Sequence, residues 1–533
     1  MTPFRESLEQ TRARFALIWV IPIMLAAALS FAAPILNDGD TFWHLGAGRW
    51  MIQHLAVPAT DPFSFTFVGR PWVAHEWLSE VAMAVAYQAG GWSALMLLFG
   101  LAIGLTALLM GAWLLRWLGM LPALLALVIG LACVAPGMLA RPHLLVLPLL
   151  ASWTVELLKA REAKRAPPIW LALAMVLWAN LHSSFVVGYG LAAALGLEAL
   201  LDTQHWTRRG FIGWTGFLVL SLLATLATPH GIDGLTFPLK VLNMKTLPVI
   251  TEWQSPDFLK PSPLELALLA GLFAAFWRGA RLSAVRAAIL LGLVHMSLQH
   301  VRQEILLGVL GPLLLAEPFG RALGRVEAVW TPWRMPLAQS ALGGGLLVAL
   351  IVGRLATPQV RVDGPTAPIT ALAHVSAALQ RQPVLNYYDF GGYLIFQGVR
   401  PYIDGRADMY GDAFVADDDL IQRANPAAMD RAISHYAIRW AIAPPNLFLT
   451  QALQRAPGWK QIYADKTAVV LENVNPPTTP LSPAKAGAQA FSEAPALADK
   501  MPGSPLSRGK AAKATLRPSP PPPAPAPPSS GRG

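Results

Sequence analysis

Asp38 and Asp40 are the first charged side chains after an apolar stretch long enough to cross a bilayer, in the segment NDGDTFWHLGAGRW at residues 37–50. A carboxylate at a membrane boundary can accept a proton from a hydroxyl group, or hold a cation, if other polar groups lie beside it. Such groups recur where later apolar segments end: His44, His75, Glu76, Arg141, His143, Asn180, His182, Glu252, His300 and Arg302. Carboxylates, imidazoles and guanidinium groups at one membrane face could together bind phosphate and sugar groups.

Each of these side chains also has a structural interpretation. Asp40 is placed to cap a helix predicted for residues 42–55, whose composition suits a helix lying in the membrane interface. His182 could satisfy its hydrogen bonds against a neighbouring helix, and Glu252 lies in a turn-rich segment where solvated carboxylates are common. Arg302 could extend to lipid headgroups, or its planar guanidinium could hold a phosphate through two hydrogen bonds. Ionisable groups at membrane depth are costly and tend to face cavities, which favours a binding site.

The composition is that of a membrane protein with many spans. Hydrophobic residues make up 54% of the 533 and charged residues only 14%, with a mean hydropathy of +0.45; soluble proteins carry about 25% charged residues. The net charge of +10 does not indicate nucleic-acid binding, because the arginines cluster in short loops between apolar segments, as topology determinants do. The one cysteine, Cys133, lies in an apolar run and can form neither an internal disulfide nor a cysteine-based zinc site.

We predict about eleven transmembrane helices, since a helix needs roughly 20 apolar residues to cross the hydrocarbon. The apolar stretches lie near residues 15–36, 91–116, 119–138, 142–160, 167–181, 184–201, 210–228, 262–277, 283–299, 303–320 and 335–356. The first stretch is too long for a signal peptide and lacks a small-residue cleavage site, which indicates a retained anchor. With the N-terminus inside, the inner loops carry the excess of arginine and lysine.

This orientation divides the chain into four predicted parts. They are a cytoplasmic N-terminus (1–14), a transmembrane domain (15–357) with a first outer loop at 37–90, a small α/β domain on the outer side (366–474), and a disordered tail rich in proline and alanine (475–533). In the α/β domain, strands are predicted at 383–396, 400–406, 438–445 and 458–473, the last forming a hairpin that turns at Asp465-Lys466. Helices are predicted at 368–381 and 425–436, and the acidic run DGRADMYGDAFVADDD is predicted to be a solvated loop.

Nucleotide-dependent chemistry finds no support in the sequence. The chain contains neither a Walker loop nor a Gly-x-Gly-x-x-Gly motif placed between a strand and a helix. The Asp-x-Asp in NDGD is a motif that occurs often by chance, and in the predicted orientation it faces away from cytosolic nucleotides.

The layout resembles the C-type (GT-C) membrane glycosyltransferases, which use sugars linked to polyprenyl phosphate. DGDTFWHLGAGRWMIQHLAVPATDPFSFTFVGRPW is similar in plan to the first outer loop of the oligosaccharyltransferase catalytic subunit, with an early acid, a helix, an Asp/Pro stretch and a Gly-x-Pro turn. ITEWQSPD is similar to a later outer-loop motif of that enzyme, and NYYDFGGYLIFQGVRPYIDGRADMYGD resembles the outer domain of bacterial members. The resemblance covers residues 15–474 and implies a GT-C-like α-helical polytopic fold with a C-terminal α/β domain.

The resemblance also implies roles for individual residues. Asp40 matches the catalytic acid of the first loop, with Asp38 as a second candidate, and Glu252 matches the carboxylate of the later loop. Asp40 would act as general base on an acceptor hydroxyl, with Asp38 or His44 orienting it or holding a divalent cation (Mg or Mn). The predicted substrate-binding residues are His44, Glu76, Arg141, His143, Asn180, His182 and Arg302, of which the cationic ones would stabilise a leaving phosphate. The chain lacks the adjacent acidic pair that is typical of protein mannosyltransferases, and it lacks a motif that reads glycosylation sequons. The resemblance therefore predicts neither the identity of the acceptor nor whether a metal ion is required.

The sequence therefore predicts a glycosyltransferase of the bacterial inner membrane that moves a sugar, with inversion, from polyprenyl phosphate to an unknown acceptor at the outer face. A transporter or flippase of lipid-linked saccharide is the alternative from another class, since it would hold phosphate with the same arginines but would need no base. The hydropathy pattern shows no repeated halves of the kind that many transporters have. A non-catalytic membrane component would leave the one-sided polar residues unexplained.

Overall fold

A computed structural model describes residues 15–202, 207–246, 251–324 and 336–475. The predicted N-terminus (1–14) and all but the first residue of the predicted tail lie outside this range. The helices up to residue 355 are α1 (Ile21–Ser30), α2 (Asp40–His54), α3 (Trp77–Trp117), α4 (Met120–Val134), α5 (Pro142–Leu145), α6 (Leu147–Glu162), α7 (Leu173–Leu181), α8 (Phe185–Leu201), α9 (Arg208–Ala224), α10 (Ile232–Leu242), α11 (Pro263–Arg278), α12 (Ala284–Gln299), α13 (Glu304–Ala322) and α14 (Leu337–Leu355). A π-helical turn (Ala16–Val20) precedes α1, and 3-10 turns lie at Ala33–Leu36, Ala135–Gly137, Ile169–Ala172, Thr251–Trp253 and Val301–Gln303.

The apolar helices are those of a multi-pass membrane protein. Within the described ranges, five helical stretches are long and apolar enough to cross a membrane: Trp77–Trp117, Met120–Gly137, Pro142–Glu162, Val301–Ala322 and Leu337–Leu355. Shorter apolar helices lie at Ala16–Ser30, Ile169–Leu181, Phe185–Leu201 and Ala284–Gln299. The count of eleven spans stays a prediction. α3 consists of two helical segments separated by the non-helical backbone of Gly90 and Gly91, and the second segment begins where the span near residue 91 is predicted.

Two glycines let α1 lie directly against α3. A Cβ atom at Gly100 would lie 2.5 Å from the carbonyl oxygen of Ala26, and one at Gly104 would lie 2.7 Å from that of Pro22. A spacing of four residues puts both glycines on one face of α3, the pattern that brings membrane helices close together. This contact fixes the end of α1, and with it the start of the turn that contains Asp38 and Asp40.

The C-terminal part contains a four-stranded sheet. Its strands are β1 (Val384–Asn386), β2 (Trp440–Ala443), β3 (Trp459–Ala464) and β4 (Val469–Asn473), in the order β1-β2-β4-β3. β1 is parallel to β2, with Val384 opposite Trp440, and the other pairs are antiparallel. The predicted hairpin is confirmed, since β3 pairs with β4 and Asp465 Oδ1 closes the turn by accepting the backbone N–H groups of Thr467 and Ala468. The helices here are α15 (Ile369–Ala373), α16 (Ala377–Gln380), α17 (Gly391–Phe396), α18 (Ala407–Gln422), α19 (Pro426–His435) and α20 (Phe448–Arg455).

Three local predictions in this part are wrong. In the strand predicted at 383–396 only Val384–Asn386 is extended, and a 3-10 turn and α17 follow it. Residues 400–406 contain no strand. The acidic run predicted as a solvated loop contains α18, which bends at Gly411. After this bend Phe414, Asp418 and Ile421 are buried at helical spacing, and Tyr410 is buried just before it.

The helix predicted to lie in the membrane interface, α2, is buried in the protein. Every residue from Thr41 to Gly48 is buried, including the polar side chains of Thr41 and His44, whereas Trp50 and Ile52 are partly buried. A Cβ atom at Gly48 would lie 2.0 Å from the carbonyl oxygen of Glu80 in α3, and one at Gly46 would lie 2.7 Å from Ile395 in α17. The interface prediction is therefore wrong, because α3 and α17 cover the surfaces of α2 that lipid would have contacted.

Candidate active site

The turn Asp38–Asp40 leads from the first apolar helix into α2. Asp38 Oδ1 accepts a hydrogen bond from the backbone N–H of Asp40 at 3.0 Å, which satisfies one of the free donors at the helix start. Gly39 is the N-cap and Asp40 is the first helical residue, so the capping role predicted for Asp40 is wrong. The Asp40 carboxylate faces other side chains, and its Oδ1 accepts a hydrogen bond from Trp43 Nε1 at 3.0 Å.

Arg141 binds both acids of this turn from extended backbone immediately before α5. Its guanidinium donates to both oxygens of Asp38, with Nη2 2.8 Å from Oδ1. The same Nη2 lies 3.1 Å from Asp40 Oδ2. The hydroxyl of Thr41 donates to the carbonyl of Ala140 at 3.0 Å, which ties α2 to the segment that carries the arginine. The arginine and the two acids are therefore held together by backbone as well as by charge.

Glu252 bridges Arg141 to a second arginine, Arg302. Its Oε2 lies 2.9 Å from Arg141 Nη1, and its Oε1 lies 2.8 Å from Arg302 Nη1. The turn that carries Glu252 is held by His300, whose Nδ1 lies 2.6 Å from the Trp253 carbonyl oxygen. Burial alone would raise the pKa of Glu252, but Arg302 and Arg141 outweigh it and lower the pKa to about 2. This carboxylate is therefore ionised at neutral pH.

Asp40 and Asp38 differ in accessibility. The side chain of Asp40 is 21% exposed, whereas that of Asp38 is 4% exposed. Burial raises the pKa of Asp40 to about 7, with a further increase from the negative charge of Asp38 and a decrease from Arg141. A reachable carboxylate with a pKa near neutrality is suited to accept a proton. Asp38 is suited instead to hold Arg141 in place.

A second polar cluster surrounds Glu76. Glu76 Oε1 lies 3.2 Å from His182 Nε2 and 3.6 Å from His75 Nε2, and Oε2 lies 3.8 Å from His44 Nε2. Burial alone would raise the pKa of Glu76, but the neighbouring His75 outweighs it and holds that pKa well below its usual range. Burial lowers the pKa of His182 to about 3, so its ring is neutral. Because Asp40 and His44 are four residues apart, they lie on one face of α2 and connect this cluster to the first.

His44, Glu76 and Glu80 could hold a metal ion. One ligand atom from each residue lies within 4.8 Å of the other two, and all three residues are buried. His44 Nδ1 lies 3.1 Å from Glu80 Oε1, while Glu80 Oε2 is buried with no hydrogen-bond partner among the described residues. A buried carboxylate oxygen without a partner, beside an imidazole and a second carboxylate, would be satisfied by a divalent cation. These residues therefore fit a metal.

His143 and Asn180, also predicted to bind substrate, lie apart from the two clusters' ion pairs. His143 Nε2 donates to the carbonyl of Gly137 at 2.8 Å, and its ring centre lies 6.4 Å from that of His182. Asn180 accepts a hydrogen bond from Trp77 Nε1 at 2.6 Å and donates to two backbone carbonyls. Its amide thus fixes the end of α7 to the start of α3, and it lines an apolar groove of about 580 Å³ between these helices.

A buried ion cluster joins the loop between α2 and α3 to the C-terminal part. Arg406 Nη1 lies 2.7 Å from Asp61 Oδ1, and its Nε and Nη2 lie 2.7 Å from the two oxygens of Asp404. Tyr410 donates its hydroxyl to Asp404 Oδ2 at 2.7 Å. The side chains of Arg406, Asp61 and Asp404 are fully buried. We call these four residues the Arg406 cluster.

Glycines bring the C-terminal part against the Asp38–Asp40 turn. A Cβ atom at Gly405 would lie 1.8 Å from Asp40 Oδ1, and one at Gly392 would lie 2.1 Å from the carbonyl oxygen of Gly39. In turn, a Cβ atom at Gly39 would lie 2.7 Å from the carbonyl oxygen of Asp389. Only glycine has room at such contacts. The segment at 389–405 therefore forms one wall of the candidate site.

Sequence patterns did not single out Glu80 or the Arg406 cluster. A signal for Glu80 was available, because an ionisable residue in an apolar helix is costly and a spacing of four from Glu76 puts both carboxylates on one face. Asp61 and Arg406 are 345 residues apart, and no local pattern connects them.

The chain is similar to solved membrane-enzyme structures over most of its length. ArnT from Cupriavidus metallidurans, bound to undecaprenyl phosphate, is 16% identical, with a TM-score of 0.48 over 86% of this chain and 98% of that one. The oligosaccharyltransferase from Archaeoglobus fulgidus, in the apo form, is 10% identical, with a TM-score of 0.47 over 81% of this chain and 69% of that one. No protein-family model and no curated protein matches the sequence.

Proposed function

We propose that the chain is a membrane glycosyltransferase that moves a sugar from a polyprenyl-phosphate donor to an acceptor at the outer face of the bacterial inner membrane. One observation carries the proposal: the accessible Asp40 carboxylate contacts Arg141, which together with Arg302 binds an anion, here the Glu252 carboxylate. A base next to an anion site is what attack by a hydroxyl group on a sugar phosphate requires. A transporter of the same lipid would need only the anion site.

In the proposed reaction, the acceptor oxygen attacks the anomeric carbon as the bond between that carbon and the phosphate oxygen breaks. Asp40 takes the proton of the acceptor hydroxyl. The electron pair of the broken bond passes to the phosphate oxygen, and polyprenyl phosphate leaves. Arg141 and Arg302 neutralise the negative charge that develops on it. A single displacement of this kind inverts the configuration at the anomeric carbon.

Side chains around the candidate site could bind the sugar and the isoprenoid chain of the donor. Among the described residues, His143 bonds through Nε2 alone, which leaves its Nδ1 to accept a hydrogen bond from a sugar hydroxyl group, whereas both ring nitrogens of His182 have partners. Trp77, which follows Glu76 in sequence, lines the apolar groove with Leu173 and Leu177, and this groove would take part of the isoprenoid chain. The donor would then enter from the membrane with its phosphate at the arginines.

The metal site is proposed to hold Mn²⁺ in preference to Mg²⁺, because one ligand is an imidazole and Mg²⁺ prefers oxygen ligands. His44, Glu76 and Glu80 would hold the ion one helical turn from Asp40, where its positive charge would favour the ionised carboxylate. We expect the purified chain to retain about one Mn²⁺ after dialysis and Glu80→Gln to retain much less, measured by elemental analysis. Asp257→Asn, which changes an exposed carboxylate, is the control, and equal metal content in all three proteins would contradict the site.

The pH dependence of transfer by the metal-free chain is a second test. Because burial raises the pKa of Asp40 to about 7, the base is mostly protonated, and therefore inactive, below that pH. We expect log(kcat/KM) to rise with pH at a slope of about one until about pH 7 and then to level off. The dependence of kcat/KM on pH is measured from initial rates with a labelled donor, between about pH 5 and about pH 9. A rate that is flat across neutrality would exclude Asp40 as the base.

Reconstitution separates the enzyme from the transporter. The full chain is placed in lipid vesicles with polyprenyl-phosphate-linked sugars and an extract of envelope acceptors. A transferase releases polyprenyl phosphate and leaves a glycosylated acceptor, both of which mass spectrometry detects. Donor that crosses the bilayer unconsumed, together with unchanged envelope glycans in cells lacking the chain, would favour the transporter.

A further inference from the structure

Glu252 occupies the place between two arginines that an anionic ligand would take. Arg141 and Arg302 each give one N–H to a different oxygen of its carboxylate, at 2.9 and 2.8 Å. A phosphate group binds a pair of guanidinium groups through two of its oxygens in the same manner. The two arginines therefore already adopt an arrangement suited to phosphate, with a protein carboxylate in the ligand's position.

Glu252 lies at the accessible end of this row of charges. The side chains of Glu252 and Arg302 are 28% and 33% exposed, whereas Asp38, on the far side of Arg141, is 4% exposed. Among the described residues, Nε and Nη2 of Arg302 have no hydrogen-bond partner. Arg302 thus keeps donors for a ligand, and Glu252 can swing into solvent while Asp38 stays with Arg141.

The balance of charge requires one carboxylate to leave when a phosphate arrives. Asp38, Asp40 and Glu252 are three carboxyl groups around two guanidinium groups. A phosphate added to all three would place further negative charge among groups that are partly removed from water, where repulsion is strong. If Glu252 moves away, the phosphate binds Arg141 and Arg302 in its place. The site then contains one negative charge fewer than it would with Glu252 still present.

We propose that Glu252 is an internal counter-ion that fills the phosphate site of the ligand-free protein and is displaced by the phosphate of the lipid-linked donor. The inference rests on the proposed function and deepens it. Glu252 then has a role different from the acid–base role that the resemblance to other glycosyltransferases implies. By returning to the arginines after transfer, it competes with polyprenyl phosphate and assists product release.

Binding of a short soluble analogue, farnesyl monophosphate, to the purified full chain tests this role. Glu252→Gln removes the charge and keeps the shape, and we expect its Kd to fall about tenfold or more, because a hydrogen bond to a charged group accounts for a factor of that size. Asp257→Asn removes a charge from the same outer segment without touching either arginine, and its Kd should equal that of the unmodified chain. Release of polyprenyl phosphate after transfer should be slower in Glu252→Gln, because the side chain that returns to the two arginines is neutral.

The other outcomes are distinct. An unchanged or higher Kd in Glu252→Gln, or unchanged release of polyprenyl phosphate, overturns the counter-ion role and leaves the transferase proposal standing. A gain of the same size for the neutral alcohol farnesol also overturns it, since competition between charges cannot act on an uncharged ligand. If neither the unmodified chain nor any variant binds farnesyl monophosphate, the proposed function fails together with the inference.

Discussion

Asp40→Asn is expected to lower kcat for sugar transfer by about 10²–10⁴-fold, the contribution of a positioned general base, and to leave donor affinity nearly unchanged. Asparagine keeps the size of the side chain and can still accept the hydrogen bond from Trp43, but it cannot take a proton. Donor affinity depends on Arg141 and Arg302, which the change leaves in place. The measurement pairs single-turnover transfer of a labelled sugar with binding of the donor.

Two further variants serve as a control and as a test of the other candidate base. Asp233→Asn, an exposed outer carboxylate, should behave as the unmodified chain does. Asp38→Asn should weaken donor binding as well as transfer, because the deeply buried Asp38 holds Arg141 through both of its oxygens. Transfer that persists in Asp40→Asn but is abolished in Asp38→Asn would assign the base to Asp38, the second candidate from the sequence.

Arg406→Met is expected to lower the free energy of unfolding by about 3–5 kcal/mol, because it leaves buried carboxylates without their partner. Asp61 and Asp404 are both fully buried, and neither can reach water without separating the first loop from the C-terminal part. We expect a lower apparent Tm of the purified chain and a loss of transfer, because Gly405 beside Asp40 is next in sequence to Arg406.

Arg431→Met is the matched control, since it removes an arginine from an exposed ion pair with Asp417 in the same part of the chain. Exposed pairs contribute little to stability, so its Tm should stay close to that of the unmodified chain. If Arg406→Met is no less stable than Arg431→Met, the Arg406 cluster does not hold the two parts together. Adding Asp404→Asn to Arg406→Met should recover part of the loss, because one fewer charge is then left buried.

That the polar residues lie at one membrane face stays a prediction. Their grouping could be recognised from the sequence, and the structure links Asp38, Asp40, Arg141, Glu252 and Arg302 in a row of ion pairs. It was recognisable because charged residues near membrane spans are rare and orientation follows from the basic loops. Their catalytic and binding roles stay predictions. The pattern could not show which acid is accessible, since the exposure of Asp40 depends on a segment more than 300 residues later in the chain.

The burial of α2 and the Asp61–Arg406 ion pair could not be predicted, because they depend on contacts between residues far apart in sequence. The composition of α2 suits the membrane interface equally well, and only α17 on one side and α3 on the other make it a buried helix. In α18 the apolar residues Phe414, Val415 and Ile421 recur at helical spacing after Gly411, a usable signal that the many acids obscured. The tie between Asp61 and Arg406 had no signal at all, because each residue alone resembles an ordinary surface charge.

The glycine contacts between the Asp38–Asp40 turn and the segment at 389–405 have a consequence for the order of biosynthesis. A ribosome that has released only the early helices into the bilayer has made Asp40 but not the backbone that encloses it. The carboxylate reaches its final surroundings only after translation has passed Gly405. The proposed activity therefore requires translation past Gly405, and a chain terminated before that residue would carry Asp40 without the wall that encloses it.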